Sequence, residues 1–138
     1  MHIETAAPVR PKITLSETEG DLLFNLACAA RDRSSMAAGL LLEELARAEF
    51  CSAESLPDDV VTMRSQVTFL DEDSGEEHAV ELVYPSAADM EQGRVSVLTP
   101  VGAALIGVRR GSAIDWPDRR GATRRLRIVE VVQPERVG

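Results

Sequence analysis

The chain has 138 residues, 44% hydrophobic but only 4% aromatic, and a formal net charge of −8. That supplies enough Val, Leu, Ile and Ala for one modest core with an appended element, and it excludes wholesale disorder. No apolar run approaches the roughly 20 residues needed to cross a bilayer. Met1–Lys12 lacks the basic start and apolar stretch of a secretory leader, and Cys28 and Cys51 are too few for a disulfide framework. A cytoplasmic protein with reduced thiols is expected. The acidic total argues against general nucleic-acid binding by a basic face. The charge is unevenly placed, with −4 over residues 1–57, −8 over 58–98 and +4 over 99–138, so the last third is a basic region built from arginine.

Residues 1–14 contain Pro8 and Pro11 and no period, which predicts a loose or partly extended arm. Ser16-Glu17-Thr18-Glu19 is a capping box, in which the serine hydroxyl accepts from the Glu19 amide and Glu19 reaches back. Leu22, Leu23, Leu26, Ala27 and Ala30 then recur at three- and four-residue steps, predicting an amphipathic helix. Arg31-Asp32-Arg33-Ser34-Ser35 interrupts it, and either serine can cap a second helix carrying Leu41, Leu42, Leu45, Ala46 and Ala48 and ending near Phe50. Two such helices with a short connection pair antiparallel, giving a helical hairpin over residues 15–52. Gly20 and Gly39 each cost a helix roughly 1 kcal/mol, so the hairpin is expected to need support from the rest of the chain.

Beyond the connector Cys51–Asp59 the period changes to two. A strand with an irregularity near Arg64-Ser65 is expected from Val61 to Phe69, followed by an acidic turn at Asp71–Glu77 and a strand at Val80–Tyr84 ended by Pro85. Val95 and Val97 begin a third strand. Thr99, Pro100 and Gly107 then have the chemistry of an N-cap, a first helical residue and a residue past a helix end. Ile114 and Trp116 mark a fourth strand and Leu126–Val132 a fifth, with a bulge expected around Val129-Glu130. One short helix on an antiparallel sheet over residues 53–138 makes the chain an α+β protein.

Several chemistries fail on their residues. His2 and His78 are the only histidines, which leaves no triad or histidine metal cluster. The acidic turn from Asp71 has glycine at the fifth position and Leu82 at the twelfth, so it is not a calcium loop. Gly102–Gly107 has phosphate-loop glycine spacing, but Val108-Arg109 stands where Lys and Ser/Thr are required. Cys51 sits beside acids, which do not activate a thiolate. No cofactor or metal is expected, and the absences favour a binding protein over an enzyme.

Leu56–Ser65, Leu82–Pro85, Val95–Gly107 and Gly111–Trp116 together resemble the Rnk-type regulators of nucleoside diphosphate kinase, which are similar to the bacterial Gre transcript-cleavage factors. The resemblance covers residues 15–134. It implies an N-terminal coiled coil, a C-terminal FKBP-like domain, and binding to RNA polymerase at the secondary-channel rim, where the sheet domain grips a coiled coil of the β′ subunit. In Gre factors that contact uses the turn into the short helix, which corresponds here to Leu98, Thr99 and Pro100. Gre factors have Asp or Asn-Ser-Pro there, so Leu98 departs from the pattern, offering an apolar side chain where theirs is polar. Helix capping alone accounts equally for Thr99 and Pro100.

Gre factors stimulate cleavage with two carboxylates at the hairpin tip that hold a second magnesium ion. Here the tip is Arg31, Asp32 and Arg33, one acid between two cations. The resemblance therefore implies occupancy of the channel rim without cleavage. The basic patch of Arg119, Arg120 and Arg124, with Arg125 and Arg127, reads either as a surface for an acidic partner or nearby nucleic acid, or as the solvated face of a hairpin. Two other readings are a prolyl isomerase, suggested by fold alone, and a direct regulator of nucleoside diphosphate kinase.

Overall fold

The computed structural model describes residues 11–32, 35–117 and 123–134. A three-residue strand, β1 (Thr14–Ser16), runs directly into helix α1 (Glu17–Ala30). Ser16 caps the helix as its sequence predicts, its Oγ accepting from the Glu19 amide at 3.1 Å. The reciprocal half of the capping box does not form. Glu19 turns inward instead, and its Oε1 accepts from the Met63 amide at 3.3 Å.

Helix α2 (Ser35–Arg47) returns along α1, with Leu23, Ala27 and Ala30 buried on one helix and Ala38, Leu41 and Leu45 on the other. Leu22, placed on the apolar stripe by its spacing, is exposed. The helix stops at Arg47, short of Phe50. Its guanidinium bonds the Glu44 carboxylate at 3.0 and 2.6 Å and donates to the Pro11 carbonyl at 2.7 Å. Beyond it, β2 (Glu49–Cys51) pairs in parallel with β1.

That pairing corrects the arm expected over residues 1–14. Residues 1–10 lie outside the described part, whereas Ile13 is fully buried and its carbonyl accepts from the Glu49 amide at 3.0 Å. Three residues joined through backbone bonds carry no periodicity, so nothing in their order distinguishes them from an arm.

The main sheet has five strands in the order β5-β4-β3-β7-β6. They are β3 (Gln66–Asp71), β4 (Glu77–Val83), β5 (Arg94–Ser96), β6 (Ala113–Pro117) and β7 (Thr123–Val132). The sheet is mixed, not antiparallel as expected, because β5 runs parallel to β4. Alternating apolar residues report which face is buried and not which way a strand runs. The direction is set by residues 84–93, which double back through 3₁₀ turns at Pro85–Ala87 and Met90–Gln92 and leave through Gly93 at φ 72°.

The irregularity at Arg64-Ser65 is a tight turn. Arg64 holds φ 68°, unusual for a residue with a Cβ, and the Thr62 amide donates to Ser65 Oγ at 2.9 Å. Gln133 braces the turn from the far end of the chain, accepting from Thr62 Oγ1 at 2.7 Å and donating to the carbonyls of Asp58 and Val60. The expected bulge is present. Thr68 faces Glu130 while Phe69 faces Ile128, leaving Val129 as the extra residue.

Helix α3 (Pro100–Leu105) packs on α2. One apolar cluster runs through Ile13, Leu23, Leu41, Val67, Leu105 and Ile128, so hairpin and sheet share a core, as the hairpin glycines required.

Glu19 lies at the join. Burial raises its pKa above the ordinary glutamate value, only partly offset by the Met63 amide and the Arg64 charge. The folded state therefore holds this proton more tightly than the unfolded chain, and stability falls as pH climbs from about 4.5 through the raised value. Glu19→Gln keeps the acceptor without the charge and should flatten that decline in pH-dependent urea melts. Glu19→Ala leaves the Met63 amide without this acceptor and should cost about 1–3 kcal/mol.

Candidate functional site

The turn into α3 is built from backbone constraints inward. Thr99 is extended, at φ −127° and ψ 159°, and Pro100 follows at the first helical position, where its missing N–H costs nothing. The Thr99 hydroxyl donates to the Ser96 carbonyl at 2.6 Å and accepts from the Gly102 amide at 3.1 Å. The Leu98 amide donates to Ser96 Oγ at 3.0 Å. Leu98 is half-buried against the core, Thr99 is half-buried and Pro100 is exposed. Both ends of the turn are thus tied to Ser96 on β5, so it presents a fixed shape. Gly102 completes it. A Cβ there would collide with the Ser96 carbonyl and stand 2.8 Å from the Val97 Cα.

At the hairpin tip Arg31 and Asp32 are both exposed, and Arg33 lies outside the described residues. Fourteen residues of α1 place the tip about 21 Å from the helix start. The tip and the α3 turn are on separate elements, joined through the packing of α3 on α2.

Arg119 and Arg120 also lie outside the described residues. Arg124 is on β7, where it meets the acidic turn, with Nη1 2.5 Å from Asp71 Oδ2. Its neighbours are likewise paired, Arg125 with Asp115 and Arg127 with Glu72, each at 3.1 Å. Two of these arginines, Arg124 and Arg127, therefore pair with the acidic turn, a separate feature in the sequence, while Arg125 pairs across to β6. Asp71 organises the turn as well, its Oδ1 accepting from the amides of Asp73 at 2.9 Å and Ser74 at 3.3 Å. Burial works to raise its pKa, but the Arg124 bond and the two amides outweigh it and hold the carboxyl below the ordinary aspartate value.

Among the described residues, no group of three or more His, Cys, Asp or Glu is arranged to hold a metal ion, and no helix is long and apolar enough to cross a membrane. Sequence reasoning missed the inward role of Glu19, the brace from Gln133 and the exposed ring of Phe50. The one available signal was the Arg64-Ser65 break in alternation, which marks the turn that Glu19 and Gln133 hold.

A helical hairpin sharing its core with a small mixed sheet is the architecture of a transcription elongation factor-like regulator. Residues 56–133, more than half of the chain, match the family described as "Transcription elongation factor, GreA/GreB, C-term", and the chain belongs to that family. It is 37% identical over 130 residues to the "Regulator of nucleoside diphosphate kinase" of Escherichia coli K12, covering 94% of this chain and 96% of that one. It is also 37% identical over 130 residues to the "Transcription elongation factor GreA" of Azorhizobium caulinodans, covering 88% and 82%. The solved structure of the prokaryotic transcription elongation factor GreA/GreB from Nitrosomonas europaea superposes with a TM-score of 0.73 at 40% identity, over 88% of this chain and 100% of that one.

Two outcomes follow from this geometry. Helix propensity favours Gly102→Ala by up to about 1 kcal/mol, but the collision is with backbone on β5 and cannot be relieved by a rotamer change. The net effect in a urea melt should be a loss of about 1–3 kcal/mol. For Asp71, a lowered folded pKa means its stabilisation is present above about 3.8 and is lost as pH falls through the folded value. Arg124→Met should move the Asp71 carboxyl titration upward, read by carbon-detected NMR.

Proposed function

We propose that the protein binds RNA polymerase and regulates elongation from the secondary-channel rim without stimulating transcript cleavage. The observation that carries this reading is the pre-shaped turn at Leu98, Thr99 and Pro100. The Thr99 hydroxyl and the Leu98 amide are used internally and Pro100 has no N–H, so the turn offers a partner a fixed, largely apolar corner with Pro100 outermost. Its docking target is a coiled coil of the β′ subunit. Residues 53–138 act as an FKBP-like gripping domain and residues 15–52 as a short coiled coil directed into the channel. Nucleic acid is met only indirectly, and the site of action is the cytoplasm.

The hairpin tip supports the second half of the reading. Arg31-Asp32-Arg33 offers one carboxylate between two guanidinium groups, a net positive end. Capture of a divalent ion needs several anionic oxygens, and neighbouring cations raise its cost further. The basic patch contributes less than its sequence suggests, because Arg124, Arg125 and Arg127 are already engaged by carboxylates. Arg119 and Arg120 remain candidates for a partner's acidic surface.

The name carried by the Escherichia coli relative favours a second reading, direct control of nucleoside diphosphate kinase. Calorimetry between the two purified proteins separates the readings, and we expect no heat of binding. On polymerase, the protein should compete with a Gre factor and leave backtracked complexes uncleaved. Thr99→Ala with Pro100→Ala should weaken polymerase binding about tenfold or more, as loss of a central contact does. Restored cleavage, or competition indifferent to both substitutions, would refute the proposal.

A further inference from the structure

On the flank of the hairpin, near its base, α1, α2 and β2 enclose an open groove of about 700 Å³. Phe24 and Phe50, which are 52% and 47% exposed, line it together with Leu42 and Ala46. The Cε1 edge of the Phe50 ring rests directly against Gly20, where a Cβ would collide with it, and the rest of the ring is left half exposed. Glu17 and Asp21 stand one helical turn apart on the α1 rim, both exposed, and neither has a cationic partner among the described residues.

We propose that this groove is a docking site for a basic amphipathic helix of a partner protein. A crevice between two helices accepts a third helix by its apolar stripe. From Glu17 to Phe24 the α1 wall is about 10 Å long, room for two helical turns and for apolar side chains at i and i+4. The acidic rim selects lysine or arginine beside that stripe. It also repels phosphate, which argues against nucleic acid and anionic lipid headgroups. A second copy of this chain does not fit. Helix α1 contains no Lys or Arg, and the single Arg47 of α2 is bonded to Glu44 and the Pro11 carbonyl. The groove is distinct from the Leu98–Pro100 turn, so it serves a contact additional to the proposed polymerase docking.

The test uses the full chain and a fluorescein-labelled helical peptide of about 15 residues, with leucines at i, i+4 and i+7 and lysines on its other face. Its anisotropy titration should saturate. Phe24→Ser should weaken binding about tenfold, the effect of losing one buried apolar wall. Glu17→Gln with Asp21→Asn should weaken it comparably. Glu76→Gln with Glu77→Gln, neutralising two exposed acids on the distant turn, should leave it unchanged. All five positions are exposed, and unchanged thermal melts confirm that folding is intact. Absence of saturation, equal loss from the distant pair, or indifference to Phe24→Ser would each overturn the proposal. So would tighter binding after deletion of residues 1–10, which would make that segment the occupant. Self-association abolished by Phe24→Ser would overturn it in favour of a second copy.

Discussion

The tight backbone approach at the seam between hairpin and sheet is at Gly107, and much of the architecture follows from it. The residue sits at φ 78°, and a Cβ there would stand 2.9 Å from the Ile13 Cβ and 3.3 Å from the Thr14 carbonyl. Because no side chain intervenes, β1 lies against the turn after α3, with the Thr14 amide donating to the Gly107 carbonyl at 3.1 Å. The other side of β1 pairs with β2. One short strand therefore links the foot of the hairpin to the end of α3. With Ile13 and Leu15 fully buried on either side of Thr14, the two units cannot separate without exposing the centre of the core.

What is legible in the sequence is local. Ser16, Thr99 and Pro100 act within three or four residues of themselves, so residue order alone is enough to read their chemistry, whereas Gly107 is legible as a helix end but not as the seat of β1. The Val129 bulge is visible for the same reason, since it breaks a period of two inside one strand. Long-range choices are not legible. Glu19 has an acceptable partner at its own helix start and takes Met63 instead, 44 positions away. Phe50 continues a helical spacing, yet backbone pairing to Leu15 places it on a strand and opens the flank groove. The direction of β5 depends on how residues 84–93 fold back, which alternation does not encode.

The electrostatics show the same division. Composition divides the chain into an acidic middle and a basic end, a polarity that suggests an external partner. In the folded chain Asp71 and Glu72 are bonded to Arg124 and Arg127 across the seam between β3 and β7. Part of the charge asymmetry is consumed in closing the sheet and is not displayed. Glu17 and Asp21, exposed on the helix rim and without a cationic partner among the described residues, lie in a segment whose net charge is modest in one dimension.

The position of β7 has a consequence for biosynthesis. It lies between β3 and β6, although it is the last strand in the sheet. While a ribosome is still translating residues 123–132, β3 has a bare edge on one side and β6 has no neighbour in the sheet. Gln133, which braces the Thr62–Ser65 turn, emerges later still. The nascent hairpin can pair its helices early, but the half-built sheet beside it exposes unpaired backbone until the final strand inserts, an interval that favours chaperone engagement.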